Sequence, residues 1–593
     1  MYTNYELEKV DPASPYIPHF HGTFEIPVQV GTRTRRMLAY APQDVRESTA
    51  AVIVIGPDGV NADALFETTE WRRIADQEIH KEKLLVFFLE PENGVWNTDE
   101  KYGIAGGDVE YINAAALKAC ERFYYCVHES KVYVMGLKEG GVLANMAVAA
   151  NPAFYAGIAT VGGSAVSPAY LEAAAQDYCT MLDGYEDPDH RKNIRKGDIP
   201  VPAWIIDDPD CGLAGENTAL AYWKKACGTD GQAYQIDPDC TEYRRTLATE
   251  YPLNQEKEAY RVCASCIPGA AGDLAARLSQ RIWSDFLYRQ RRWMSSPGGE
   301  LRVTQDPVRD LHMEYHYETI DGWKREWYVY VPDSVRIAVS DNPAKKVPLV
   351  LAMHGYTCSG EIYIGNSGWT KVADQYGFIV VFPTALYAHV NMPEQGLMPE
   401  YALFPAWNIF QEDDRPDELS FFRQMLDRTI AEHPVDPDHV FATGHSWGSL
   451  MTQMLGLGMT DRLKAIAPCS GVFFGGSSKT MTELPDLNRF NDLQLPVWMH
   501  WGTEEAWLIP TSPDHDNETG FTVDMWMKRN GKADMIPENW NDFPIEQNGR
   551  FLDRKLEREG TAPVWFTQVD YMPHATMPEM SFRIWEQFFS RFL

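Results

Sequence analysis

The sequence is short of positive charge. Its 593 residues hold 53 Lys and Arg against 84 Asp and Glu, a formal net charge of −31. So acidic a chain is not expected to take nucleic acid or an anionic membrane face as a partner. No run of ~18 apolar residues occurs, so no segment is expected to cross a bilayer. The first residues, MYTNYELEKV, lack a basic stretch leading into an apolar core. No signal peptide is therefore expected, and the expectation is a cytoplasmic protein, with export left open. Cysteine is scarce, 10 residues in all, with only Cys358 and Cys469 after residue 300. Free buried thiols are expected rather than disulfides. Cys263-x-x-Cys266 has no second CxxC, and no His lies between His190 and His312. A metal or redox centre is not expected.

What is present is globular: 45% hydrophobic and 23% charged residues. The chain also repeats itself. RIWSDFLYR, starting at Arg281, returns as RIWEQFFSR at Arg583, about 300 residues later and close to the end. Other pairs follow in the same order. RRMLAYAP answers REWYVYVP. AAVIVIGPDG answers VPLVLAMHGY, and Trp96-Asn97 answers Trp407-Asn408. KVYVMGLKEGG answers HVFATGHSWGS, and IPVPAWIIDD answers QLPVWMHWGT. In each copy short apolar runs (VIVI, LLVFFL, VYVM; then LVLAM, FIVVF, VFAT) alternate with stretches of helical apolar spacing. Strands apolar on both faces, alternating with helices, predict a mostly parallel sheet covered by helices on both sides. The fold class is therefore α/β, written twice. SSPGGELRVTQDP has the composition of a linker, which places the units at 1–295 and 308–593 with 296–307 between them.

The second copy contains Gly444-His445-Ser446-Trp447-Gly448, after the strand run Val440-Phe441-Ala442-Thr443 and before an apolar helix. That is the setting of a nucleophile elbow, a turn so tight that the residues two before and two after the Ser must be tiny. A Ser hydroxyl needs a base, and only His500, His515 and His574 follow it. His500 sits inside the strand run PVWMHW and reads as packed. His515, in the polar loop SPDHDNETG, reads as solvated. His574, between PVWFTQVDY and the closing helix, stands where such a fold delivers its base. The acid is expected on the loop Gly502-Thr503-Glu504-Glu505, with Glu505 preferred, Glu504 the alternative, and Asp514 and Asp516 remote ones. Oxyanion donors are expected from the backbone N–H of Trp447 and, in the loop His354-Gly355-Tyr356, of Tyr356.

These stretches, with IAPCSG and the MPHA loop, make residues 325–593 similar to the polyhydroxybutyrate depolymerase and feruloyl esterase family of α/β-hydrolases. The resemblance implies two tandem α/β-hydrolase domains, no cofactor and hydrolysis of carboxylic esters. It gives Ser446, Glu505 and His574 the triad places. It puts Trp407 at an acyl or aromatic cleft, although a core position suits a Trp equally well. His354 and His445 are further candidate substrate contacts. Two departures stand out: Glu505 where the family has Asp, and a long stretch before His574, WMKRNGKADMIPENWNDF, readable as a cap or as an extra helix.

In the first copy the elbow register falls on Gly136-Leu137-Lys138-Glu139-Gly140, and Gly272 lies opposite His574. A lysine with a pKa near ~10.4 is protonated and unreactive at neutral pH. The first unit is expected to be a structural or substrate-shaping lobe without catalysis. The leading expectation is a serine esterase acting on small or oligomeric esters. A peptidase or amidase of the same fold, or a scaffold without turnover, are the alternatives. Oligomeric state is not legible.

Overall fold

The computed structural model describes residues 22–42, 49–77, 84–120, 127–179, 194–212, 216–245, 257–293, 299–388, 404–411, 415–473, 490–505 and 509–593. These fall into two compact units, Gly22–Thr304 and Gln305–Leu593. Each is built around one ten-stranded sheet, and the two sheets share one topology. In the first, the spatial order is Gly22–Val30, Arg33–Ala41, Leu84–Leu89, Thr49–Ile55, Val127–Leu137, Gly157–Val161, Ala203–Asp207, Val262–Cys266, Cys240–Tyr243 and Ala233–Asp237. In the second it is Glu314–Ile320, Trp323–Tyr330, Ile379–Thr384, Val347–Met353, Val435–His445, Ala465–Cys469, Val497–Gly502, Val564–Val569, Phe551–Leu556 and Glu546–Asn548. The middle strands run parallel, and antiparallel hairpins close both edges. This is the α/β-hydrolase arrangement expected from the sequence.

The parallel strands are buried along almost their whole length, as strands between two helical layers must be. Val347–Met353 and Thr49–Ile55 each stand fourth in their sheet, directly beside the strands Val435–His445 and Val127–Leu137. DELSFFRQMLDRTIAEH forms the helix Glu418–Glu432, capped by Asp417, whose carboxylate accepts from Ser420 N–H. Trp526 and Trp540 of the stretch before His574 are both buried in the core. That stretch is thus a packed helix, Glu518–Arg529, followed by two short turns, rather than a cap.

Two expectations shift. The composition that read as a linker hides a strand: Glu300–Val303 pairs antiparallel with Gln290–Trp293. Leu301 is buried on that strand, so its few apolar residues have a packing role that Pro and Gly nearby mask. One of the stretches of helical apolar spacing, DVEYINAAALKACERFYYCV, predicts a longer helix than the one that forms. The helix is Asp108–Ala119, and Val127 already belongs to the next strand.

The Trp-Asn repeats have one structural role in both units. Trp96 Nε1–H donates to Gly56 O at 2.8 Å, and Trp407 Nε1–H donates to His354 O at 2.9 Å. Asn97 N–H donates to Asp108, which is paired with Arg35 at 2.6 Å. Asn408 N–H donates to Glu418, which is paired with Arg325 at 2.8 Å. Each ion pair is buried, where losing one partner typically costs about 3–5 kcal/mol. The pair and the indole together pin the loop that follows Thr49–Ile55 in the first unit and Val347–Met353 in the second.

Candidate active site

The elbow forms where the strand Val435–His445 meets the helix Trp447–Gly458. Ser446 has φ 56° and ψ −120°, a region that non-glycine residues enter at a cost of ~1–3 kcal/mol. Its N–H donates to Cys469 O at 2.9 Å, which holds the turn against the next strand. The flanking glycines are steric necessities. A Cβ on Gly444 would lie 2.8 Å from Met353 O, and one on Gly448 would lie 2.7 Å from Met353 C. Gly355 brings the neighbouring loop against the serine, since a Cβ there would lie 3.0 Å from Ser446 Cβ. Tyr356 and Trp447, the expected oxyanion residues, follow Gly355 and Ser446 directly. Their rings are 5.6 Å apart.

The strands Ala465–Cys469, Val497–Gly502 and Val564–Val569 lie next to the elbow strand in that order, all parallel. Loops leaving their C-terminal ends therefore gather at one sheet edge. Glu505 comes from the second and His574 from the third. His574 Nδ1 is 2.7 Å from Glu505 Oε2, and Glu505 is wholly buried. Its Oε1 accepts from Gly502 N–H at 2.6 Å and from Ser470 Oγ–H at 2.8 Å. Glu504 is turned elsewhere: its carboxylate accepts from Thr503 Oγ1–H, and its N–H donates to Met572 O. The two loops are stitched together, since Tyr571 N–H also donates to Thr503 Oγ1 at 3.0 Å. The ring of His445, the residue before Ser446, lies 4.7 Å from the ring of His574.

His445 Nε2 is buried and has no hydrogen-bond partner among the described residues. Burial first, and His574 second, hold its pKa well below the usual histidine value, so it is a neutral neighbour. His354 and Trp407 differ from the expected substrate contacts. Both are wholly buried. His354 Nε2 accepts Ala385 N–H at 2.9 Å, which puts its proton on Nδ1, 2.6 Å from Gly355 O. Burial lowers its pKa to about 4, so it is a neutral staple of the Gly355 loop. Trp407 is in the core for the same reason as Trp96.

The other candidates lie apart from this chemistry. His500 is buried in its strand against Trp498, its pKa lowered by burial to about 3. His515 is less free than a solvated loop residue: Nδ1 is 2.7 Å from Asp524 Oδ2 and Nε2 is 2.8 Å from Pro537 O. Asp514 and Asp516 are exposed. Cys263 and Cys266 share the strand Val262–Cys266, the first buried and the second exposed. Three positions apart on a strand, they face opposite sides of the sheet. Among the described residues no group of three or more His, Cys, Asp or Glu is arranged to hold a metal ion. No described helix is long and apolar enough to cross a membrane.

The first unit repeats the elbow with other side chains. Lys138 has φ 51° and ψ −118°, nearly the angles of Ser446, and its N–H donates to Val161 O at 3.0 Å. A Cβ on Gly136 would lie 2.7 Å from Gly140 O. Val262 pairs with Ala203 as Val564 pairs with Val497. Counting on from these pairs puts Gly272 at the place of His574 and Cys211 at the place of Glu505. Asp58 answers Tyr356, and its N–H donates to Glu139 Oε2 at 3.2 Å.

No family model matches the chain. Curated proteins similar to parts of it include the following three. The bifunctional acetylxylan esterase/xylanase XynS20E of Neocallimastix patriciarum is 27% identical over 197 residues, 33% of this chain and 25% of that protein. Acetylxylan esterase A of Aspergillus awamori is 26% identical over 152 residues, 25% of this chain and 42% of that protein. Poly(3-hydroxyalkanoate) depolymerase C of Paucimonas lemoignei is 29% identical over 174 residues, 29% of this chain and 37% of that protein. The matches thus span less than half the length of each relative. Among solved structures, an acetyl xylan esterase from Aspergillus awamori superposes with a TM-score of 0.31 and 14% identity, covering 47% of this chain and 98% of that one. Over a quarter to a third of its length, the chain is similar in sequence to acetylxylan esterases and to a poly(3-hydroxyalkanoate) depolymerase.

Proposed function

We propose that the second unit is a serine carboxylic-ester hydrolase that works through an acyl-enzyme on Ser446. The observation that carries this reading is the strained Ser446 elbow at the sheet edge that also holds the His574–Glu505 pair. With Nδ1–H donated to Glu505, the neutral imidazole of His574 keeps a lone pair on Nε2. In the proposed cycle Nε2 takes the Ser446 hydroxyl proton as Oγ attacks the ester carbonyl carbon. The carbonyl π pair moves onto oxygen, where the N–H groups of Trp447 and Tyr356 stabilise it. Loss of one such donor typically costs ~3 kcal/mol of barrier. His574 then returns the proton to the leaving alcohol. Water, deprotonated by the same nitrogen, releases the acid and restores Ser446. Glu505 keeps the ring oriented and offsets the imidazolium charge.

The substrates favoured are small or oligomeric esters, acetyl, hydroxyalkanoyl or hydroxycinnamoyl. The names of the similar proteins support the first two. The first unit, with lysine, cysteine and glycine at the three triad places, is proposed to be a non-catalytic lobe. The test is a panel of p-nitrophenyl acetate, short hydroxyalkanoate esters, hydroxycinnamate esters and matched amides, run on the wild type beside Ser446→Ala. Ester turnover that disappears in the variant supports the reading. Full turnover in Ser446→Ala removes it.

A further inference from the structure

We infer that Ser470 is a positioning residue for the triad acid, acting through its hydroxyl on Glu505. This rests on the catalytic reading above. Ser470 directly follows the strand Ala465–Cys469, which lies between the elbow strand and the acid strand. It is buried, and its N–H donates to His500 O at 2.6 Å. Its Oγ is 2.8 Å from Glu505 Oε1 and 3.4 Å from Ala575 O. A hydroxyl has one proton, and the shorter, charge-assisted bond to the carboxylate takes it. Gly502 N–H and Ser470 Oγ–H thus hold one carboxylate oxygen, so that the other faces His574.

Backbone strain argues that the side chain is the reason a serine stands here. Ser470 has φ 54°, in the left-handed region that glycine enters freely and other residues enter at a cost of ~1–2 kcal/mol. The first unit shows what that backbone takes where there is no carboxylate to hold. Gly162 occupies the corresponding place with φ 72°. A Cβ on Gly162 would lie 3.3 Å from the sulfur of Cys211, the residue at the Glu505 place. Serine appears with the acid, and glycine appears where the acid is gone.

The test compares Ser470→Gly and Ser470→Ala with wild type on a p-nitrophenyl ester, alone and in a Glu505→Gln background, with thermal melts and a Ser446→Ala control. Ser470→Gly relieves the strained φ, so its melting temperature should hold or rise. Its kcat should nevertheless fall roughly 10- to 100-fold, the usual worth of a hydrogen bond to a buried charge. KM should stay within about twofold. Ser470→Ala, which keeps the strain and loses the hydroxyl, should show the same kcat loss. In Glu505→Gln the further loss should shrink to under about threefold, because the two residues act as one unit. The proposal is overturned if Ser470→Gly keeps its kcat, if Gly and Ala differ by more than about fivefold, or if the loss is equal in both backgrounds. An active Ser446→Ala would instead overturn the catalytic reading itself, whatever Ser470 does.

Discussion

The two elbows have nearly the same backbone and different chemistry. Ser446 and Lys138 sit at φ 56° and 51°, each flanked by glycines without room for a Cβ. Around Ser446 the edge holds a histidine bonded to a buried glutamate. Around Lys138 the equivalent places hold glycine and cysteine. The difference teaches that the turn belongs to the fold. Strand, turn and helix must connect there whether or not a reaction occurs, so a strained elbow alone does not mark a catalyst. On the proposed reading, the partners brought to it do.

The largest effect that sharpens this contrast is Ser446→Ala. Ester hydrolysis should drop by about 10³-fold or more, and labelling by a fluorophosphonate probe should vanish. Next is Glu505→Gln, which keeps the shape and removes the charge opposite His574. Its kcat should fall by roughly 10²- to 10⁴-fold with little change in fold, as circular dichroism would check. On the stability side, Gly448→Ala and Gly140→Ala should each destabilise their own unit by about 2–3 kcal/mol. Equal losses in denaturant melts would show that both turns are equally needed. A loss confined to the second unit would break the parallel.

A smaller effect separates the units by pH. Both ring nitrogens of His515 face acceptors, so the bonded ring is an imidazolium. Its pKa is raised, first by the bond to Asp524 and then by that to Pro537 O. The folded value therefore lies above the unfolded one, near ~6.5. The resulting stabilisation is complete below that pH and is lost as pH rises through the raised value. His515→Ala should lower the melting transition of the second unit by roughly 1–2 °C at pH 5.5 and by less at pH 8.5. The smallest expected change is none at all. Lys138→Ser in a Ser446→Ala chain should restore no esterase activity, because no base stands at Gly272. Restored turnover would show that the first unit had kept a reactive arrangement.

Much of the site was readable because it rests on local necessity. A serine between two glycines, after an apolar strand, has few other uses. His574 was picked as the candidate base by exclusion among three histidines, and the structure sets it against Glu505. Glu505 was preferred with Glu504 left as the alternative, because a loop has no period to say which side chain turns inward; in the structure it is Glu505 that meets His574. Trp407 was ambiguous for a related reason, and its first-unit twin Trp96, bonded to the same loop position, resolves it towards the core. Ser470 was in view within IAPCSG and drew no role. Its sign is a positive φ, which a sequence discloses only when glycine stands in its place. The strand Glu300–Val303 was missed because its Pro- and Gly-rich neighbours dominate the composition of that window.

The contact between Glu139 and Asp58 N–H has a practical consequence for anyone who would re-arm the first unit. The amide that would greet a developing alkoxide there already faces a resident carboxylate. The oxyanion that forms on attack would meet a like charge where it needs a hydrogen-bond donor. Installing serine, histidine and glutamate would therefore build a lock whose keyhole is filled, and the first substitution such an engineer needs is at position 139.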